Sequence, residues 1–176
     1  MRRPVVALSF VLMASLVPLA PSVAVRAQAE PPKASEGVSG GLNLSAVRAQ
    51  LAKGDAAAAS GNLAEARKSY DLARDSSRRL LTFYRDLSGA FRGLDARIPR
   101  EMDQNALESL EVLAQANLRL AAVFRRQNQP EVAVPLLVEV VKSMTPSREE
   151  GRKAYQSLVE IGFATIPYTA VSGPGS

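Results

Sequence analysis

NLRLAAVFRRQNQPEVAVPLLVEVVKSMTP, residues Asn117 to Pro146, is the stretch whose pattern decides the fold. Asn117, Leu120, Ala121 and Phe124 stand at i, i+3, i+4 and i+7, the spacing that gathers side chains on one stripe of a helix. After the polar turn Gln127-Asn128-Gln129-Pro130, the residues Ala133, Leu136, Leu137, Val140, Val141 and Met144 repeat that pattern. The stretch predicts two helices folded back as a hairpin. Neither stripe can be buried fully by the other, so further helices must cover the remaining flank.

Those helices are legible on both sides. Leu63, Ala66, Tyr70, Ala73, Ser77, Leu80, Tyr84 and Leu87 alternate by three and four, predicting one long helix that Gly89 and Gly93 weaken and Ile98-Pro99 ends. Pro99 suits the first turn of the next helix, whose stripe is Ala106, Leu110, Leu113, Asn117, Leu120 and Phe124. A shorter helix starts at Asn43 or Ser45, either of which can cap free backbone N–H groups, and runs through Val47, Leu51 and Ala56 to Ala59 to end near Gly61. The helix from Pro130 carries Pro135, which removes one backbone hydrogen bond and favours a bend. Ser147-Arg148-Glu149-Glu150 has the form of a capping box opening a last helix, with Tyr155, Leu158 and Val159 facing inward and Gly162-Phe163 as its exit. The expected fold is all-α, a five-helix antiparallel array of helical hairpins over residues 43–163, followed by a loose tail over 164–176.

Composition agrees. Aromatic residues are 5% of the chain and Trp is absent, which favours close-packed helices over a sheet. The N-terminus, MRRPVVALSFVLMASLVPLAPSVAVRAQAE, reads as a secretory signal peptide over 1–29. It has Arg2 and Arg3, an apolar run interrupted by Pro18 and Pro21, and a small-x-small site allowing cleavage after Ala29 or Ala27. The run is too short and too broken for a membrane-spanning helix, so no stable membrane insertion is expected after cleavage. Residues 30–42, rich in Pro, Ser and Gly, read as a flexible tether. Cleavage after Ala29 removes Arg2, Arg3 and Arg26 and no acid, so 22 basic residues become 19 against 17 acidic ones and the net charge falls from +5 to +2. The basic character is therefore poor support for a nucleic-acid partner. The expected location is an exported one, the periplasm or an equivalent lumen, with secretion as a further option.

Gly54, then Gly61-Asn62-Leu63-x-Glu65-Ala66, then Tyr70 and Ala73, resemble the tetratricopeptide repeat, with a small residue in the first helix, a turn glycine, and an aromatic and an alanine in the second. On the same 34-residue ruler Leu120, Ala121, Phe124, Asn128, Ala133 and Pro146 form a second match, and Tyr155, Leu158 and Gly162 the start of a closing helix. Gln50 and Ala57 stand where the family places large aromatics, and Arg78 where it often has proline. The resemblance implies a helical solenoid that binds protein. It also implies a peptide groove lined by Arg48, Leu51, Asp55, Gln115, Leu118, Arg119, Ala122 and Arg126, without the family's carboxylate clamp.

The residue inventory excludes much chemistry. With neither His nor Cys there is no imidazole base, no thiolate nucleophile and no common zinc set, and no cofactor motif is present. Glu101 with Asp103, or Glu108 with Glu111, could formally serve a carboxylate-based hydrolase, although such spacings usually mark a solvated helix face. The expected function is a non-enzymatic adaptor or assembly factor for a protein partner; the alternative is a structural subunit of a larger complex. The candidate binding stretch is Phe83 to Asp103, FYRDLSGAFRGLDARIPREMD, where arginines interleave with apolar residues as they do in interfaces. Its candidates are Tyr84, Arg85, Phe91, Arg92, Arg97 and Arg100, with Arg119 in the groove.

Overall fold

A computed structural model describes residues 42–169. The expected signal peptide, most of the tether and the last seven residues lie outside the described residues. Among the described residues five helices follow in order: α1, Leu44–Ala59; α2, Leu63–Ala90; α3, Arg97–Arg126; α4, Pro130–Met144; and α5, Glu149–Glu160. No strand occurs among the described residues.

Each helix packs on the next, and α3 also touches α1 and α5. Cross-links along α3 give the directions. Arg48 meets Glu108 at 3.0 Å and Asp55 meets Arg119 at 2.8 Å, so α1 and α3 climb together. Arg148 at the start of α5 meets Glu111 at 3.3 Å, and Glu160 at its end meets Arg125 at 2.9 Å, so α5 climbs with them. The array therefore has two layers, α1, α3 and α5 in one and the oppositely directed α2 and α4 in the other. Leu120, Leu137, Met144, Val47 and Val140 are among the most deeply buried side chains of the main core.

Local chemistry sets the helix ends. Asn43 caps α1 by accepting the Ala46 N–H at 2.8 Å, and Asn62 caps α2 by accepting that of Glu65 at 3.1 Å. Helices α1, α3 and α5 leave by one motif, in which a residue with positive φ lets its own N–H and that of the next residue fold back onto the last carbonyls. The residues are Gly61, Asn128 and Gly162, with φ of 81°, 59° and 77°. In each case the next N–H reaches back, as Asn62 to Ala57 at 2.9 Å, Gln129 to Phe124 at 2.9 Å and Phe163 to Leu158 at 3.0 Å.

Four expectations need correction. The long second helix stops at Ala90, and Ile98-Pro99 already belong to the first turn of α3, because Gly93 at φ 82° turns the chain early. On α2 the inward stripe leaves Tyr84 half-buried and Leu87 exposed and passes instead to Leu81 and Ser88. The capping box before α5 does not form: Ser147 Oγ lies 2.6 Å from Thr145 Oγ1, and Arg148 precedes the helix without a side-chain cap. Inside α5 the buried residues are Gly151, Ala154 and Leu158, while Tyr155 is half-buried and donates its hydroxyl to the Ile166 carbonyl at 2.8 Å. That bond and the edge-on Tyr155–Tyr168 ring contact, 6.5 Å between centroids, lay residues 164–168 back on α5.

Candidate functional site

Helices α2 and α3 have 28 and 30 residues against 16 and 15 for α1 and α4, so the hairpin they form is about 20 Å longer than its neighbours. Its far end is held by a small cluster of its own, in which Leu81, Ala106 and Leu113 are joined by Tyr84 and Leu110. Two helices alone cannot enclose every apolar side chain, and Phe83, Leu87, Leu94 and Leu107 stay 50%, 46%, 78% and 41% exposed.

The candidate residues separate here. Tyr84 belongs to the cluster just described and is structural. Phe91 is the half-buried residue that closes α2. Arg97 is engaged locally: Asp95 accepts its backbone N–H at 2.9 Å and pairs with its guanidinium at 2.7 Å, which holds the Asp95 carboxyl below its ordinary value. Arg100 is exposed on the first turn of α3. Arg85 and Arg92 come together, lining a pocket of about 380 Å³ with Asp103, Ala106, Leu107 and Leu110. The floor of that pocket is apolar. Asp103, its one acid, accepts the buried Ser88 hydroxyl at 2.6 Å.

Arg119 lies elsewhere. Its Nε donates to Asp55 Oδ1 at 2.8 Å, and the same oxygen accepts the Tyr70 hydroxyl at 2.7 Å, so one carboxylate ties α1, α2 and α3 together. Burial works against the Asp55 charge, but the hydrogen bonds from Arg119 and Tyr70 outweigh it and hold the carboxyl below its ordinary value of 3.8. Burial, reinforced by Asp55, pushes the Tyr70 phenol up. Across the face expected to line a peptide groove, α1 and α3 are bridged by this bond, by Arg48–Glu108, and by Arg126 donating to the Ala58 carbonyl at 3.2 Å. Leu51 is core. The open side of α3 faces α5, where Gln115, Leu118, Arg119 and Ala122 line a cleft of about 490 Å³ with Glu149 and Lys153.

The acids considered for hydrolysis are dispersed along α3. Glu108 and Glu111 are in ion pairs, Asp103 is bonded to Ser88, and Glu101 is exposed on the first turns. Sequence reasoning missed Leu107 as part of the pocket floor, and missed the pairing of Arg74 and Arg78 on α2 with Glu139 on α4, at 3.6 and 2.7 Å. The arginine spacing on α2 was the available signal. Among the described residues no helix is long and apolar enough to cross a membrane. No protein-family model, curated protein or solved structure matches the chain.

Proposed function

We propose that this is a non-enzymatic, exported, tetratricopeptide-like adaptor or assembly factor that holds a protein partner in the periplasm or an equivalent lumen. The observation that carries the binding role is the projecting end of the α2–α3 hairpin, which leaves Phe83, Leu87 and Leu94 exposed and carries a pocket lined by Leu107 and two arginines. Rigid helices that present such a patch are typical of interfaces. The repeat reading draws support from the three helix exits: Gly61, Asn128 and Gly162 are 67 and 34 residues apart, close to two repeats and one. Export rests on the N-terminal sequence alone.

The test is capture of a partner from the cell's own envelope fraction by the unaltered chain and by a variant with Phe83→Asp and Leu87→Asp. Both positions are exposed, so helicity is expected to stay the same while capture is lost. Undiminished capture would remove the Phe83–Leu87 face from the binding surface and leave the Arg85–Arg92 pocket and the α3–α5 cleft. A second reading, an obligate structural subunit, is favoured by Leu72 at 51% and Ile166 at 75% exposure, away from the hairpin end. A cooperative thermal transition of the isolated chain argues for the adaptor; helicity without a transition argues for the subunit.

A further inference from the structure

Arg67, Arg74, Arg78 and Arg85 follow one another on α2 at steps of seven, four and seven, which keeps them on one flank of the helix. Arg92 follows seven residues later, just past α2, and shares the pocket of Arg85. The upstream members of this row have partners. Arg67 lies over the Phe124 ring, 4.9 Å from its centre. Arg78 donates to both Glu139 oxygens, at 2.8 and 2.7 Å, and Arg74 approaches the same carboxylate at 3.6 Å. Arg85 and Arg92 have no ion pair among the described residues.

Helix α4 runs out before it reaches them. It is parallel to α2 and ends at Met144, five residues or about 7–8 Å beyond Glu139, after which Thr145 turns the chain at φ 53°. Arg85 is seven residues, about 10 Å, beyond Arg78. Past the end of α4 the α2–α3 hairpin carries the pocket, lined by Arg85, Arg92 and Asp103 over Ala106, Leu107 and Leu110. Upstream, α4 packs on α3 with Ala133, Leu136, Leu137 and Val140 among its buried residues, and reaches α2 through Glu139, whose one carboxylate is shared by two guanidiniums.

We propose that this pocket receives an amphipathic helix of a protein partner that sets a carboxylate beside small apolar side chains, seated in line with α4 as its continuation. The proposal rests on the adaptor reading and names the chemistry of its partner. A small inorganic anion would meet the guanidiniums but leave the apolar floor bare.

The probe is a fluorescein-labelled peptide with the sequence of residues 130–144, made with Glu139 and with Glu139→Gln or Glu139→Lys, and titrated by anisotropy against the full chain. The Glu139 peptide is expected to bind, and the Glu139→Gln peptide to bind at least about tenfold more weakly, as loss of a charge-assisted hydrogen bond requires. R85E/R92E, whose side chains are exposed, should keep its helicity, lose at least about tenfold in affinity for the Glu139 peptide and favour the Glu139→Lys peptide. L107A should weaken both the Glu139 and the Glu139→Gln peptides alike. Equal binding of those two peptides, no saturable binding, or binding that R85E/R92E leaves unchanged would overturn the proposal; the last would mean that the peptide displaces α4. Equal capture of a cellular partner by the unaltered chain and R85E/R92E would overturn it while leaving the adaptor reading intact. Failure of the unaltered chain to capture any partner would count against the adaptor reading, and the titration would still decide the pocket.

Discussion

Replacing Gly54 by alanine tests how closely α1 and α2 pack. In an exposed helix interior the change would stabilise by about 1 kcal/mol, since alanine is the better helix former. At Gly54 a new Cβ would fall against the Tyr70 ring, 2.5 Å from Cδ1 and 3.0 Å from Cζ, closer than real contacts allow. The ring has little room to retreat, being 3% exposed with its hydroxyl bonded to Asp55. Overpacking a well-filled core costs about 1–3 kcal/mol, and losing the bond to a charged acceptor about 1.5 kcal/mol more. The net expectation is a loss of about 2 kcal/mol, a fall in Tm of roughly 6–10 °C for a domain of this size. Gly89 is the control. It is also helical, nothing lies within 4 Å of its would-be Cβ, and it sits one residue from the end of α2, so Gly89→Ala should stabilise by about 0.5 kcal/mol. Calorimetry of both variants, with Tyr70→Leu alone and combined with Gly54→Ala, completes a cycle in which the smaller side chain should remove most of the Gly54 penalty. A Gly54→Ala chain melting at or above the unaltered one would refute the reasoning.

Gly151→Ala should be worse, because its Cβ would meet backbone, 2.5 Å from the Thr145 carbonyl carbon, and the α4–α5 turn cannot yield as a side chain can; loss of a cooperative melt is the expected result. Asn117 is fully buried with neither amide atom hydrogen-bonded, so Asn117→Leu should melt at or above the unaltered Tm, whereas Asn117→Asp should lower it sharply. Asp55 and Glu139 titrate lower folded than unfolded: burial opposes the Glu139 charge, but Arg78 and Arg74 prevail. Protons therefore bind the unfolded chain first as pH falls, so stability is whole above the ordinary values of 3.8 and 4.5 and drains below them. Denaturant midpoints measured from pH 6 to pH 3 should fall less steeply in Glu139→Gln.

The order and kind of the helices were readable because the stripes at Leu120, Phe124, Leu136 and Val140 have only one period that fits. Helix ends were readable wherever a single residue sets them, as at Asn43, Gly61 and Gly162. The capping box failed because its serine had a nearer claimant: Thr145, at positive φ, takes the Ser147 hydroxyl, and the turn passes tightly over Gly151. Leu87 continues the stripe in sequence but not in space, since α2 outruns the helices that cover its first half. Arg85 and Arg92 were singled out for their company of apolar residues. That they extend a row answered by Glu139 was invisible, because 61 residues separate Glu139 from Arg78.

The carboxylate of Asp55 bears on how the chain opens. Helix α1 buries only Val47, Leu51 and Gly54, and its ties to the other helices are supplied by Glu65, Tyr70, Glu108, Arg119 and Arg126. A segment with so little buried apolar surface lifts away at a free energy well below that of global unfolding. Amide exchange should therefore run through α1 as one unit while α3 stays protected, and the chain would shed α1 long before it loses the rest of the array.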